Sequence, residues 1–383
     1  MKKLSFTILT LLFAFNGMGQ NTGQTATQET QKSSDTKLLV SGFGFAGYSK
    51  MDKENSNFGP TGFNPIFLWK KSDKLFFESE LMIEITDGTT KFDLEYATLH
   101  YKLCKYLEIG AGKFLSPFGI FNERIHPSWI NKFTDPPLGF NHDIGTMVGP
   151  MAEIGVEFRG GGQLGKSKIN YVAYISNGPN LVTDPSNTMM TGMLMFENIN
   201  DNNDNKAIGG RIGFLPLSNS SVEIGVSGQV AKVGDKGNVL YQNIGAQMYA
   251  LDLSYCHKLN FIKSNLDVKA QYNMMNVDKA ESYPVMSGMD TTWDNKSQSY
   301  YIQLGLRPAF VNNNFFKNLE LAFRYSSMTL PEKAMWGGDF KQSTVGLNYW
   351  LSWHSVLKLD YQMNTQKGAD NRNGIQIQWG LGF

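Results

Sequence analysis

The stretch Ile375-Gln376-Ile377-Gln378-Trp379-Gly380-Leu381-Gly382-Phe383 decides how the rest of the chain is read. Ile375, Ile377, Trp379, Leu381 and Phe383 take alternate positions, and Gln376, Gln378, Gly380 and Gly382 fill the gaps. Successive side chains of a strand point to opposite faces. The segment is therefore a strand with one wholly apolar and aromatic face and one small, polar face.

The same alternation recurs upstream. In 355–364, Leu357, Leu359, Tyr361 and Met363 oppose Lys358, Asp360 and Gln362. In 317–327, Leu319, Leu321, Phe323 and Tyr325 oppose Glu320, Ala322, Arg324 and Ser326. In 263–275, Leu266, Val268, Ala270 and Tyr272 oppose Asp267, Lys269, Gln271 and Asn273. In 150–160, Ile154, Val156 and Phe158 oppose Glu153, Glu157 and Arg159. Within each strand the mid-strand charges share one parity. A Lys or Arg facing lipid near the bilayer midplane costs about 2–4 kcal/mol, so that parity is expected to line a lumen. An open edge in hydrocarbon would leave N–H and C=O groups unpaired at several kcal/mol each, which demands closure. The expectation is an all-β fold, a transmembrane antiparallel β-barrel.

Sixteen strands are expected, at 38–49, 64–71, 74–86, 91–103, 106–113, 150–160, 166–176, 207–216, 220–231, 246–258, 263–275, 297–309, 317–327, 340–353, 355–364 and 373–382. Tight connections such as Lys71–Lys74, Leu103–Tyr106 and Trp353–Ser355 alternate with longer polar ones such as Lys50–Phe63, Phe114–Gly149, Asn177–Lys206 and Asn276–Lys296. Short periplasmic turns and long external loops are the habit of outer-membrane barrels. Propellers and sandwiches have no reason to alternate loop length in this way.

At the other end, Lys2 and Lys3 precede the apolar run Leu4–Phe15, with the small residues Gly17 and Gly19 after it. This reads as a signal peptide over 1–19. Residues 20–37 are rich in Gln, Thr, Asn and Ser and are expected to be a disordered polar segment, leaving 38–383 for the barrel. No second apolar run of about 18 residues follows, so no transmembrane helix is expected. Formal charge is +1, and no clustered basic surface of the kind that binds nucleic acid is evident. Cys104 and Cys256 lie on strands expected to be far apart around the wall, too far for a disulfide.

The C-terminal strand with its final Phe resembles the closing strand of a bacterial outer-membrane barrel. A second resemblance is more specific. Gly112-Lys113-Phe114, Pro117-Phe118-Gly119 and Glu123-Arg124, followed by His126-Pro127-Ser128-Trp129-Ile130-Asn131-Lys132, resemble the G-K-F-x-x-P-F-G signature of the phosphate-selective porin O and P family. The signature falls at the end of the fifth strand and leads into the third long loop, as in that family. The resemblance implies an outer-membrane channel for small solutes, monomeric or a homotrimer. In the phosphate-selective members, lumenal arginines and loop lysines attract anions. Here the lumenal parity offers Arg159, Arg211, Lys269, Arg307, Arg324 and Lys358, but also acidic residues on most of the same strands, which is a mixed wall.

Sixteen strands enclose more width than their own side chains fill. Loop 114–149, with its Pro, aromatic and charged content, either folds inward as a constriction or serves as an external lid or subunit contact. Lys113, Arg124 and Lys132 opposite Glu123 and Asp135 would form the charge screen of a constriction, or salt bridges that hold the loop in place. His126, His142, Asp143 and Asp135 share one loop but match no compact metal-ligand spacing, and they read as ordinary polar loop residues. His100 and His257 read as interfacial. None of the five histidines is paired with a nucleophile such as a GxSxG elbow, so neither an enzyme nor a cofactor is expected. Trp379 and Trp353 fall on the apolar parity and belong to an interfacial belt, whereas Trp350 points inward. Two functional readings follow. One is passive diffusion of small hydrophilic solutes or ions, phosphate among them, across the outer-membrane lipid. The other is a closed barrel whose long loops act as an adhesin or scaffold.

Overall fold

The computed structural model describes residues 36–86, 88–140, 147–196, 199–285 and 291–383. The expected signal segment 1–19, most of the polar segment that follows, and His142 and Asp143 lie outside them.

The strands are β1 (Lys37–Met51), β2 (Asn57–Lys70), β3 (Leu75–Thr86), β4 (Thr89–Cys104), β5 (Leu107–Leu115), β6 (Ala152–Leu164), β7 (Ser167–Ser176), β8 (Asn180–Leu181), β9 (Leu194–Met195), β10 (Ala207–Leu215), β11 (Val222–Lys232), β12 (Gly245–Leu259), β13 (Ser264–Val277), β14 (Asn295–Pro308), β15 (Leu319–Leu330), β16 (Gly338–Ser352), β17 (Ser355–Gln366) and β18 (Arg372–Gly382). All but β8 and β9 pair in chain order into one closed antiparallel barrel of 16 strands, and β1 closes on β18. The two short strands form a separate ladder inside the loop between β7 and β10. All 16 expected strands are present. The largest difference is β2, which starts at Asn57 rather than 64. Residues 57–63, expected within the Lys50–Phe63 connection, extend the strand instead, and Gly59-Pro60 sits where the β1–β2 register shifts between Ala46 and Tyr48. A proline is tolerated at such a bulge because no ladder donor is required there.

The seam is fastened by the last residue. Phe383 N–H donates to the Gly42 carbonyl at 2.9 Å and Gly42 N–H donates to the Phe383 carbonyl at 3.1 Å. Ser41 Oγ adds a third bond to that carbonyl at 2.7 Å, and the Phe383 ring stacks on Phe63 at 5.7 Å.

The two faces separate as the alternation demands. Ile375, Ile377, Trp379 and Leu381 are 42–54% exposed, whereas Gln378 is 3% exposed. Leu357, Leu359, Tyr361 and Met363 face outward while Lys358, Asp360 and Gln362 are buried within the barrel. The outer wall is thus an apolar surface that only lipid can cover without cost, since exposed apolar area costs about 25 cal/mol per Å² in water.

The tight turns gather at one end of the barrel, here the turn end, and the long loops at the other, the loop end. Over part of the loop end, Leu181, Val233, Tyr283, Trp293, Met328 and Leu330 form an apolar cap together with Phe118 and Val148. At the turn end, a single-turn helix α2 (Asn314–Asn318) is capped by Asn313, whose Oδ1 accepts from Phe315 N–H at 2.8 Å. Cys104 and Cys256 are free and exposed.

Candidate functional site

The site is built by the segment that connects β5 to β6. It leaves the wall at Leu115, makes one helical turn, α1 (Phe121–Arg124), and runs through the barrel interior. Its side chains are as apolar as those of a core: Phe118, Ile120, Phe121, Ile125, Phe133 and Phe140 are all buried. Phe121 and Phe140 pack edge-on against Tyr301 of β14.

Polar wall residues fasten this segment along its length. Ser227 Oγ of β11 accepts from Gly119 N–H at 3.0 Å. Gln271 Oε1 of β13 accepts from Ile120 and Phe121 N–H at 2.9 and 3.1 Å. Asn348 of β16 donates to the Lys132 carbonyl at 3.0 Å. Asp360 Oδ2 of β17 accepts from Thr134 N–H at 2.7 Å. Backbone groups that would otherwise be orphaned inside a barrel are satisfied by the lumenal parity of the wall.

The charged residues singled out in the sequence fall into three groups. Arg124 and Glu123 do not face each other. Arg124 pairs with Glu223 of β11 at 2.6 Å, and Glu123 accepts from Arg159 of β6 at 2.9 Å. Arg159 also pairs with Glu157 at 2.7 Å. Arg211 of β10 lies between Glu223 and Asp252, at 3.1 and 2.6 Å. These seven groups form two clusters between loop and wall, Arg124–Glu223–Arg211–Asp252 and Glu123–Arg159–Glu157, brought together because Glu123 and Arg124 are neighbours in α1.

Lys132 forms the second group with Glu320 of β15 at 2.5 Å and Asp267 of β13 at 3.2 Å. Burial opposes the charged ammonium, but the two carboxylates outweigh it and raise its pKa above the ordinary 10.5. Arg324 and Asp135 belong to the third group. Arg324 donates to the Asp135 and Pro136 carbonyls at 2.8 and 3.3 Å, and its guanidinium lies 4.7 Å from the Phe133 ring centroid. The Asp135 carboxylate takes no basic partner at ion-pair distance among the described residues; it accepts from Gln362 and Gln376, both at 2.8 Å. Lys358 donates to the Ser128 and Phe133 carbonyls, the latter at 3.0 Å.

Two expected members stand apart. Lys113 takes the parity opposite to lumenal Phe114, and its Nζ lies 3.8 Å from Asp93 of β4. The backbone at Gly112 is in the positive-φ region, where the strand bends, so the chain directs Lys113 to β4 instead of toward Arg124 and Lys132. Arg307 is at the turn end, where it donates to the Lys317 carbonyl and Asn318 Oδ1 at 3.0 and 3.1 Å. It lies 5.4 Å from the ring of the inward-pointing Trp350. The opposed screen of Lys113, Arg124 and Lys132 against Glu123 and Asp135 is therefore replaced by pairs between loop and wall. A loop has no alternation parity, so its partners could not be read from spacing.

The histidines also differ from their sequence reading. His100 is buried on β4 with Nε2 3.2 Å from Glu78 and Nδ1 2.9 Å from Glu108, so it is lumenal rather than interfacial. His126 faces Glu80 of β3 at 3.9 Å and meets Phe43 of β1 edge-on. Burial disfavours its charged form, but Glu80, and beyond it Glu95, raise its pKa above the ordinary 6.5. Trp129 of the loop lies on β18: a Cβ at Gly382 would sit 2.7 Å from its ring.

Among solved structures, the chain is similar to an anion-selective porin from Comamonas acidovorans, at 14% identity and TM-score 0.57, over 91% of this chain and 100% of that one. It is also similar to OmpF of Salmonella typhi, solved with daunomycin, at 12% identity and TM-score 0.58, over 91% and 98%. OmpT, an outer membrane protein of Vibrio cholerae in a trimer form, matches at 9% identity and TM-score 0.54, over 91% and 99%. These likenesses establish the porin fold, a transmembrane β-barrel of the outer-membrane type. No family model matches the sequence, and no curated protein does.

Proposed function

We propose that the protein is a passive channel of the outer membrane, in which small hydrophilic solutes or ions move down their gradient past the loop between β5 and β6. The observation that carries this reading is the contrast of surfaces: an apolar outer wall around an interior whose charges are held in pairs between loop and wall. A non-catalytic role suits this arrangement, because the charged groups neutralise one another instead of activating a nucleophile. In this reading the loop end is external and the turn end periplasmic. The chain would be exported through a cleaved segment at 1–19 and would assemble as a homotrimer, as OmpT was solved.

The likeness of Gly112-Lys113-Phe114 and Pro117-Phe118-Gly119 to the phosphate-selective porin O and P signature supports the same reading and makes phosphate a solute to test. Arg211, Arg324 and Lys358, however, hold carboxylates or loop carbonyls, which is not the arrangement of an open anion ladder.

Single-channel recording and liposome swelling with the folded, purified protein test the proposal, and conductance is expected. Removing residues 119–135 should enlarge it. A second reading, a sealed barrel with a surface role for its loops, draws on the apolar cap over the loop end. It predicts no conductance from either form.

A further inference from the structure

We infer that the conducting route follows the wall formed by β2 to β6, past the contact between Glu80 and His126, and that it passes small cations in preference to anions. This inference rests on the channel reading above and specifies its solute class.

The interior is not equally filled all round. Between β10 and β18 the wall is taken up by the loop: Arg324, Lys358 and Asp360 are at most 1% exposed and each is bonded to loop backbone. The β2–β6 side is different. At the loop end of β4, Lys91 and Asp93 are exposed to solvent. At the turn end, Glu78, Glu108 and Glu123 keep 13%, 23% and 17% of their side-chain surface in contact with water. Water thus reaches this wall from both ends, and the two approaches are separated by a short buried stretch at Glu80, Glu95 and His126.

That wall is acidic along its depth. β3 alone places Glu78, Glu80 and Glu84 on the lumenal parity, spanning about 20 Å at 3.3 Å per residue. β4 adds Glu95, and β6 adds Glu157. The guanidinium that faces them, Arg159, is already held between Glu157 and Glu123. The imidazoles of His100 and His126 are each set against glutamates. Fixed carboxylates lining a narrow aqueous route lower the energy of a cation there and raise that of an anion.

A separate observation points to an occupant. Asn64 Oδ1 on β2 and Glu157 Oε1 on β6 are buried acceptors without a hydrogen-bond donor, on residues only 4% and 0% exposed. Gly110 on β5 leaves the space that Glu157 fills, since a Cβ there would lie 2.7 Å from Oε1. A buried acceptor left unsatisfied is destabilising, so a donor that can reach it is favoured. Water carried in by a cation supplies the donor that each of these oxygens lacks. By contrast, an anion entering this stretch would meet Glu80 and Glu95; His126 and Arg159 beside them are already set against Glu80, Glu123 and Glu157, although His126 Nε2 and Arg159 Nε also lack a hydrogen-bond partner.

The test is the reversal potential of the full folded protein in a planar bilayer under a potassium chloride gradient. A potassium-to-chloride permeability ratio several-fold above one is expected. The double variant Glu80→Gln, Glu95→Gln should bring that ratio close to one, while Glu332→Gln, on an exposed loop far from the route, should leave it unchanged. A wild-type ratio at or below one overturns the inference while the channel reading stands, and so does a ratio unmoved by the double variant. If the double variant does not fold, the wild-type ratio alone decides. An absence of conductance from well-folded protein removes the channel reading itself, and this inference with it.

Discussion

Trp129 rests against Gly382 at the turn end of the barrel. A Cβ on Gly382 would approach the indole to 2.7 Å, and one on Gly380 would lie 3.3 Å from the Ser128 carbonyl. The two small residues of the closing strand are therefore the cradle for the deepest part of the loop. The indole also meets Trp353 of the last turn edge-on at 6.2 Å. The loop consequently reaches from its anchor on β5 to the far rim.

Replacing Gly382 by Val should expel Trp129 from this cradle. The outward parity of β18 is untouched, so the barrel still forms. Trp129→Ala should have the same consequence without a clash and cost about 3 kcal/mol, the lower range for emptying an aromatic site. Both variants are expected to show larger and noisier single-channel conductance than wild type. Unchanged conductance in both would mean that this end of the loop does not narrow the route.

Removing Phe383 should weaken the seam. It eliminates the reciprocal bonds with Gly42 and the stack on Phe63. Hydrogen bonds contribute about 0.5–1.5 kcal/mol each, so loss of the pair and of the ring is expected to lower the folded fraction clearly. The shift between heated and unheated samples in gel electrophoresis reads that fraction directly.

Lys132→Met should destabilise the docked loop by about 3 kcal/mol, because it leaves buried Glu320 without its cation, while Asp267 keeps Lys269. Adding Glu320→Gln should recover part of the loss, because one uncompensated charge is gone. Urea unfolding in lipid vesicles, followed by tryptophan fluorescence, measures both. Equal stability of the single and double variants would show that the pairing adds nothing.

The His126 contact makes loop docking depend on pH. Its folded pKa is raised above 6.5, so the protonated form is favoured by the folded state. The stabilisation is complete below about 6.5, the unfolded value, and is lost as pH rises through the folded pKa. The faces that set it are Glu80 of β3, Glu95 of β4 and the Asn122 carbonyl of the loop itself. Alkaline titration should therefore loosen the loop while removing a positive charge from the acidic wall. Proteolytic cleavage within 119–135 is expected to quicken above neutral pH in wild type and to lose that dependence in His126→Gln.

Strand number, closure and the two faces of the wall were legible in the sequence because a strand has a fixed period. Lys358, Asp360 and Arg324 point inward because their neighbours are Leu359, Phe323 and Tyr325, and lipid admits only one of the two sets. The candidate site was legible only in part. Glu123, Arg124, Lys132 and Asp135 do lie inside, yet their partners Glu223, Glu320, Asp267, Gln362 and Gln376 come from strands far along the chain. Irregular backbone carries no period from which such pairings follow. Lys113 falls on the apolar parity of its strand, where the chain bends at Gly112, so only its place in the charge screen was misread; His100 misled because nearness to a strand end in sequence does not exclude burial. The signal hidden in plain view was Gly380 and Gly382: small residues on an inward parity imply that something large sits opposite.

The seam carries a consequence for how the molecule is made. The bond from Ser41 to Phe383 joins positions 342 residues apart, so the first wall strand waits with a bare edge until the last one arrives. Closing so distant a contact is slow, and an uncovered edge recruits stray chains. The wall is therefore complete only when Phe383 reaches Gly42, and until then one edge of β1 stands unpaired.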